Sequence, residues 1–211
     1  MRNISLLIKR IIDLIGSLVG LILFSPFLLI ISILIKTTSE GTIFFKQERL
    51  GINGEKFYIY KFRTMISGAE SKGDKLAIKS EFDARITKVG RFLRATSLDE
   101  IPQLFNVLMN SMSLVGPRPP VTYHPYDGIE SYPKWTKKRF DMKPGITGLS
   151  QVKVRNAVSW EERIKIDCIY IEKFSLALDL KILFLTVIKL LKKEDVYMDY
   201  NKVKSGGKNA E

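Results

Sequence analysis

The sequence predicts a mainly helical α+β chain: an N-terminal membrane helix, one small β-hairpin, and a basic soluble domain of short helices. Three observations carry this. Leu14 to Ile35 contains no charged residue. Residues 41–64 read as two short strands around one Gly/Asn turn. The remainder shows helix caps and helical spacing of its apolar residues.

The N-terminal segment comes first. As continuous helix, Leu14 to Ile35 would extend roughly 33 Å, close to the hydrocarbon thickness of a bilayer. It is too long for the apolar core of a cleaved signal peptide, and no small-x-small site follows it. Ser25-Pro26 falls near its middle, where proline removes a backbone hydrogen bond and predicts a kink. Each arm would then be roughly 16 Å, half a bilayer. Basic residues flank both ends (Arg2, Lys9 and Arg10 before, Lys36 after), so the positive-inside preference selects neither. A helix that enters, bends and leaves on the same face fits, and so does a single-pass anchor with a tolerated proline.

Gly41 to Leu50 reads as a strand, Gly51-Ile52-Asn53-Gly54 as a turn, and Glu55 to Thr64 as the returning strand. In the second strand Lys61 and Arg63 fall on one face, two residues apart, as a grip on phosphate or as a solvated face. Residues 67–83 are polar and Gly-containing and read as a loop. Arg85 to Arg94 has helical spacing, with Arg91 and Arg94 one turn apart.

Ser97-Leu98-Asp99-Glu100-Ile101-Pro102-Gln103-Leu104-Phe105-Asn106 then sets two adjacent carboxylates at a predicted helix start, with Pro102 in the first turn. A helix N-terminus favours ionised carboxylates, and an ionised Asp99 suits a nucleophile or metal ligand. Ser97-x-x-Glu100 equally fits a capping box. Downstream, the prolines flanking Arg118 in Gly116-Pro117-Arg118-Pro119-Pro120 hold its backbone extended, which suits bidentate phosphate binding. Lys143 to Gly148 has turn chemistry throughout. Ser159 caps a helix completed by Glu162, within which Asp167 is expected to form an ion pair. Leu176 to Leu191 is apolar but carries Asp179, Lys181 and Lys189, which suits an interfacial or a core helix rather than a span. From residue 201 onward the composition predicts a flexible tail.

Composition limits the chemistry. Cys168 and His124 are the only residues of their types, which excludes disulfide frameworks, cysteine zinc sites and multi-histidine metal sites. Catalysis is left to carboxylates, Lys or Tyr, and bound metal. The net charge of +12 implies an anionic partner. No nucleic-acid-binding module or basic helix is present, so a phosphorylated substrate or acidic lipid is expected rather than nucleic acid.

Tyr60-Lys61-Phe62-Arg63-Thr64-Met65, Ser97 to Asn106, Leu114-Val115-Gly116-Pro117-Arg118-Pro119 and Lys143-Pro144-Gly145-Ile146-Thr147-Gly148 occur in this order. Together they resemble the bacterial sugar transferase family, the monotopic phosphoglycosyl transferases, in its minimal form without an added N-terminal membrane domain. The resemblance implies transfer of a sugar-1-phosphate from a UDP-sugar to undecaprenyl (polyprenyl) phosphate with Mg²⁺, releasing UMP. This is the first membrane step of capsule, exopolysaccharide or glycoprotein assembly. By similarity, Asp99 is the nucleophile that carries a covalent phosphosugar and helps to hold the metal, and Glu100 is its partner. Arg118 matches a phosphate-binding arginine, Lys61 and Arg94 match basic site positions, and Arg155 resembles a position near the nucleotide.

The resemblance also implies a re-entrant helix broken at Ser25-Pro26. The expected class is therefore α+β, mainly helical, with a cytoplasmic catalytic domain, interfacial amphipathic helices, and the bacterial cytoplasmic membrane as its location. Residues 1–38 are expected to be membrane-embedded, 39–200 catalytic and 201–211 a tail. UDP-sugar, polyprenyl phosphate and the lipid bilayer are the expected partners, with homo-oligomerisation left open. A membrane-anchored phosphohydrolase acting on nucleotide sugars shares the first half-reaction and is the alternative.

Overall fold

The structure, a computed structural model, describes residues 2–69, 83–154 and 158–192. Arg155, the predicted tail and most of the predicted 67–83 loop lie outside the described residues.

Helix α1 (Arg2–Thr38) is one element with Pro26 inside it. Proline offers no N–H to the carbonyl four residues back, that of Ile22. The Ser25 hydroxyl donates to that carbonyl at 2.8 Å. The expected break is therefore one exchanged hydrogen bond within a helix that continues to Thr38. Among the described residues, α1 is the one helix long and apolar enough to cross a membrane.

A single shielded stripe runs along α1 through Lys9, Asp13, Ser17, Gly20, Phe24, Leu28, Ile31 and Ile35, at three- and four-residue spacing on both sides of Pro26. Its first half is held by polar contacts. Lys9 pairs with Asp179 at 2.6 Å and donates to the Val115 carbonyl at 2.8 Å. Asp13 accepts from the Leu114 amide at 2.9 Å and the Ser113 hydroxyl at 2.7 Å. The second half is apolar, with Ile31 and Ile35 packed against Phe62 and Leu93. The opposite face leaves Leu7, Ile15, Ile22, Leu23 and Leu29 exposed.

Strands β1 (Phe44–Leu50) and β2 (Lys56–Phe62) form the expected antiparallel hairpin, Phe44 opposite Phe62 and Leu50 opposite Lys56. Helix α2 (Lys88–Thr96) starts at Thr87, whose hydroxyl accepts from the Gly90 amide at 2.9 Å. It ends where Ser97 turns left-handed, at φ 56°. A 3₁₀ turn (Leu98–Glu100) and helix α3 (Gln103–Leu108) follow, with Pro102 at the α3 N-cap. The sequence-predicted start near Asp99 is thus too early: both carboxylates lie in the turn before α3. The capping box does not form, because Ser97 makes no side-chain cap hydrogen bond.

The second correction concerns Lys143 to Gly148. Instead of a simple turn, it contains strand β4 (Gly145–Thr147), paired in parallel with β3 (Ser113–Val115). Gly116 donates to the Thr147 carbonyl at 2.9 Å and Gly145 to the Pro117 carbonyl at 3.0 Å. A Cβ on Gly145 would lie 2.0 Å from the Gly116 nitrogen. These glycines bring two backbones together, and their amides are taken up in pairing them.

Helices α4 (Lys134–Lys137) and α5 (Leu149–Lys153) lead to α6 (Trp160–Glu172) and α7 (Leu176–Lys192). Ser159 caps α6 as expected, accepting from the Glu162 amide at 3.3 Å. Asp167 forms the expected ion pair, with Arg139 at 2.8 Å. Ile182 of α7 joins a core with Val115, Tyr170 and Ile171, while Leu180, Phe184, Val187 and Leu191 are exposed.

Candidate active site

Strand β2 carries Lys61 to the 3₁₀ turn, and α3 holds the two in register. Asn106 is 1 % exposed and works as a clasp on the edge of β2. Its Oδ1 accepts from the Tyr60 amide at 3.0 Å, and its Nδ2 donates to the Tyr58 carbonyl at 2.7 Å. These bonds replace the ladder partners that an edge strand lacks. Phe62, 1 % exposed, anchors the end of the strand in the core shared with α1 and α2.

Lys61 donates to Glu100 in a short ion pair. Burial acts to raise the Glu100 carboxyl, but Lys61, Arg118 and Arg49 outweigh it and hold the group at about 2. Asp99 forms no ion pair among the described residues. Its burial drives it up to about 6, with Lys61 opposing, the Glu100 charge adding and Arg94 opposing. Neighbouring carboxylates thus diverge: Glu100 is a fixed anion neutralised by lysine, and Asp99 is ionised at neutral pH yet poorly solvated. A poorly solvated carboxylate without a committed cation is the more reactive of the two.

The basic residues approach from three directions. Arg94 donates from Nε to the Thr64 hydroxyl at 2.8 Å and stands close enough to Asp99 to act on its charge. Arg118, between its prolines, acts on Glu100. Its loop is clamped through backbone carbonyls: Arg139 donates to the Arg118 carbonyl at 2.7 Å, and Arg49 to the Pro119 carbonyl at 2.9 Å. On α6, burial and the Arg118 charge bring Arg163 down to about 10 against the pull of Asp167, and its guanidinium lies 5.2 Å from the centroid of Trp160.

Of the predicted residues, Lys61, Arg94, Asp99, Glu100 and Arg118 are brought together. Arg63 is not. The strand ends at Phe62, and the Arg63 guanidinium turns to the C-terminus of α1, donating to the Ser39 carbonyl at 2.8 Å and hydroxyl at 2.7 Å. The shared strand face assumed for Lys61 and Arg63 does not extend that far. Sequence reasoning missed Arg49, Asn106, Arg139 and Arg163. Asn106 lay within a quoted motif, but its partners are 46 and 48 residues away and left no local signal.

Among the described residues, no three His, Cys, Asp or Glu side chains cluster to form a metal cage. The uncommitted Asp99 suits a hard cation that keeps waters and takes its other ligands from substrate phosphates, as Mg²⁺ commonly does.

The family profile described as bacterial sugar transferase matches residues 4–193. The UDP-glucose:undecaprenyl-phosphate glucose-1-phosphate transferase of Klebsiella pneumoniae is 44 % identical over 194 residues, covering 90 % of this chain and 41 % of that protein. The chain therefore spans about two fifths of that relative's length. "Uncharacterized sugar transferase EpsL" of Bacillus subtilis (strain 168) is 41 % identical over 191 residues, covering 90 % of this chain and 91 % of that protein. "Exopolysaccharide production protein ExoY" of Rhizobium meliloti (strain 1021) is 38 % identical over 203 residues, covering 88 % and 86 %.

The divergence of the two carboxylates has a stability consequence. Asp99 titrates at about 6 when folded and at 3.8 as a free side chain, so folding penalises its ionised form. The penalty is fully present above the folded value and absent below the free one, where both states are protonated. Asp99→Asn is expected to raise stability near pH 8 by on the order of 1–2 kcal/mol, a shift of about 2–4 °C per kcal/mol. The gain should vanish at acid pH. Thermal melts of detergent-solubilised protein at both pH values check this; a lower midpoint near pH 8 contradicts it.

Proposed function

The chain belongs to the bacterial sugar transferase family, and on that premise we propose that it moves a sugar-1-phosphate from a UDP-sugar to a polyprenyl phosphate at the membrane surface. The observation that carries this is the unpaired Asp99 carboxylate beside a Lys61–Glu100 ion pair, with Arg94 and Arg118 at hand.

An Asp99 carboxylate oxygen attacks the phosphorus that bears the sugar. The phosphoanhydride bond breaks, its electron pair leaves with UMP, and an acyl phosphosugar forms on Asp99. A phosphate oxygen of the polyprenyl carrier then attacks the same phosphorus. The bond to Asp99 breaks, the carboxylate is restored, and the product is a polyprenyl diphosphate sugar. Covalent catalysis divides one crowded encounter between anions into two simpler displacements. Arg118 and Arg94 bind donor phosphate oxygens and offset charge as it builds on them. Lys61 keeps Glu100 neutralised, which leaves Asp99 as the carboxylate of the pair that reacts. Mg²⁺, held by Asp99 together with substrate phosphates, would supply further charge neutralisation on the phosphoryl oxygens.

The lie of α1 supports a re-entrant, monotopic arrangement. One stripe of the helix packs on the same domain before and after Pro26. Packing of both halves on one domain favours an arrangement in which they stay on one side of the bilayer over a span that would separate them. The exposed apolar faces of α1 and α7 suit contact with lipid, α7 lying in the interface. Nucleotide sugars are cytoplasmic metabolites in bacteria, which supports the cytoplasmic face of the inner membrane as the site of the domain. The acceptor phosphate then lies at headgroup height, where Asp99 must meet it.

Incubation of the purified protein with UDP-sugars is expected to give a covalent adduct on Asp99 by mass spectrometry, and sustained UMP release only with polyprenyl phosphate. Sustained UMP release without lipid, with free sugar phosphate accumulating, would mark a phosphohydrolase instead. Asp99→Asn is expected to abolish both adduct and turnover; substantial residual turnover removes Asp99 from its role. Adduct formation needs ionised Asp99, so its rate should fall about tenfold per pH unit below about 6 and level off above it. A profile flat through that range contradicts the assignment. Arg118→Ala should lower kcat/KM for the donor roughly 30-fold, about 2 kcal/mol for one charge-assisted contact. Unchanged donor kinetics would remove Arg118 from phosphate binding.

A further inference from the structure

Four successive residues after the middle of β2 tie it to the 3₁₀ turn, to α1 and to α2. Lys61 holds Glu100, and Phe62 packs on Ile31 and Ile35 of α1 and Leu93 of α2. Arg63 binds the end of α1, and Thr64 receives Arg94. The membrane helix and the reacting pair are thus joined through a few residues of backbone. From these contacts we infer that Arg63 is a positioning residue: it sets the height of the Asp99–Glu100 pair relative to the membrane helix. In that role it governs use of the membrane-held acceptor rather than of the soluble donor. The inference rests on the transferase function proposed above.

The Arg63 side chain is built into the end of α1. Its Nη2 donates to the Ser39 carbonyl at 2.8 Å, the Ser39 hydroxyl at 2.7 Å and the Ile35 carbonyl at 3.5 Å. Its Nη1 donates to the Glu40 carbonyl. The Ser39 and Glu40 carbonyls follow Thr38, the last residue of α1, and the Ile35 carbonyl also accepts from the Ser39 amide at 3.2 Å. A planar guanidinium can serve several carbonyls at once, and only 6 % of Arg63 is exposed. The chain leaving α1 is shaped to admit it. Gly41 has φ +116°, and a Cβ there would lie 2.1 Å from the Arg63 Nη1. The clamp therefore has a donor and a matching backbone notch on the other side.

Lys61 precedes Arg63 by two residues, roughly 7 Å along an extended chain. Rotation or sliding of α1 against the domain would therefore be transmitted to the reacting pair. A UDP-sugar approaches from water and reaches Asp99 at any height. The acceptor's phosphate is confined to the headgroup layer by its chain, so a misplaced pair fails mainly in the second displacement.

The test uses the full chain in lipid nanodiscs, comparing wild type, Arg63→Gln, Arg63→Lys and Ser39→Ala. Three rates are read: adduct formation with donor alone, transfer to a long-chain polyprenyl phosphate in the disc, and transfer to a short-chain polyprenyl phosphate dispersed in water. Arg63→Gln should leave adduct formation and short-chain transfer within about threefold while long-chain transfer falls tenfold or more, the scale of an ångström-level misplacement. Arg63→Lys should recover part of the loss. Ser39→Ala should cause a smaller loss of the same kind, and none beyond that of Arg63→Gln when the two are combined. Equal losses in all three rates, or intact long-chain transfer in Arg63→Gln, overturn the inference. Absence of any adduct in the wild type would instead overturn the transferase function, and that is visible before a variant is made.

Discussion

The ion pair between Lys61 and Glu100 is the interaction on which the site depends. Two carboxylates adjacent in sequence compete for one ammonium group, and the 3₁₀ turn presents Glu100 to it. Pairing makes Glu100 a permanent anion and leaves Asp99 burdened by burial and by its neighbour's charge. A regular helix starting at Asp99 would have given both side chains the stabilising field of its N-terminus. With α3 delayed to Gln103, burial and the Glu100 charge push the Asp99 carboxyl up.

Much of the surrounding structure keeps this arrangement in place. Asn106 locks α3 to β2, and the Arg118 loop is held from both sides through carbonyls, by Arg139 and by Arg49. Beneath it, the Arg139–Asp167 pair is almost fully buried, each side chain 1 % exposed. Removing one partner of such a pair strands an uncompensated charge, which makes it a costly place for substitution and a rigid base for the loop. The close approach of Gly116 and Gly145 adds a short parallel pair beside that base.

The long apolar helix α1 belongs to the same framework. Lys9 and Asp13, two of the charged residues of this mostly apolar helix, are buried against Asp179, Ser113 and the backbone of β3. Each meets a partner only when α1 is docked on the folded domain, so the helix is part of the core along one face and lipid-like along the other. The Arg63 clamp closes the far end of this contact.

The sequence by itself determined the long apolar N-terminal helix, the hairpin, the α6 cap and five of the side chains that meet in the candidate site. Each left a local mark: an uncharged run, two strand-like runs around a Gly/Asn turn, a capping residue, or a short motif with carboxylates or proline-flanked arginine. It marked Ser25-Pro26 by the proline alone and did not show the hydroxyl that takes over proline's missing bond. Only the tertiary structure decided which carboxylate the lysine takes, where Arg63 points, and that Lys143 to Gly148 pairs as a strand. Those outcomes depend on contacts between residues far apart in the chain, such as Lys61 with Glu100 and Ser113 with Gly145. Charge, burial and backbone pairing are settled by which partners folding brings within a few ångströms, and no spacing along the chain encodes that.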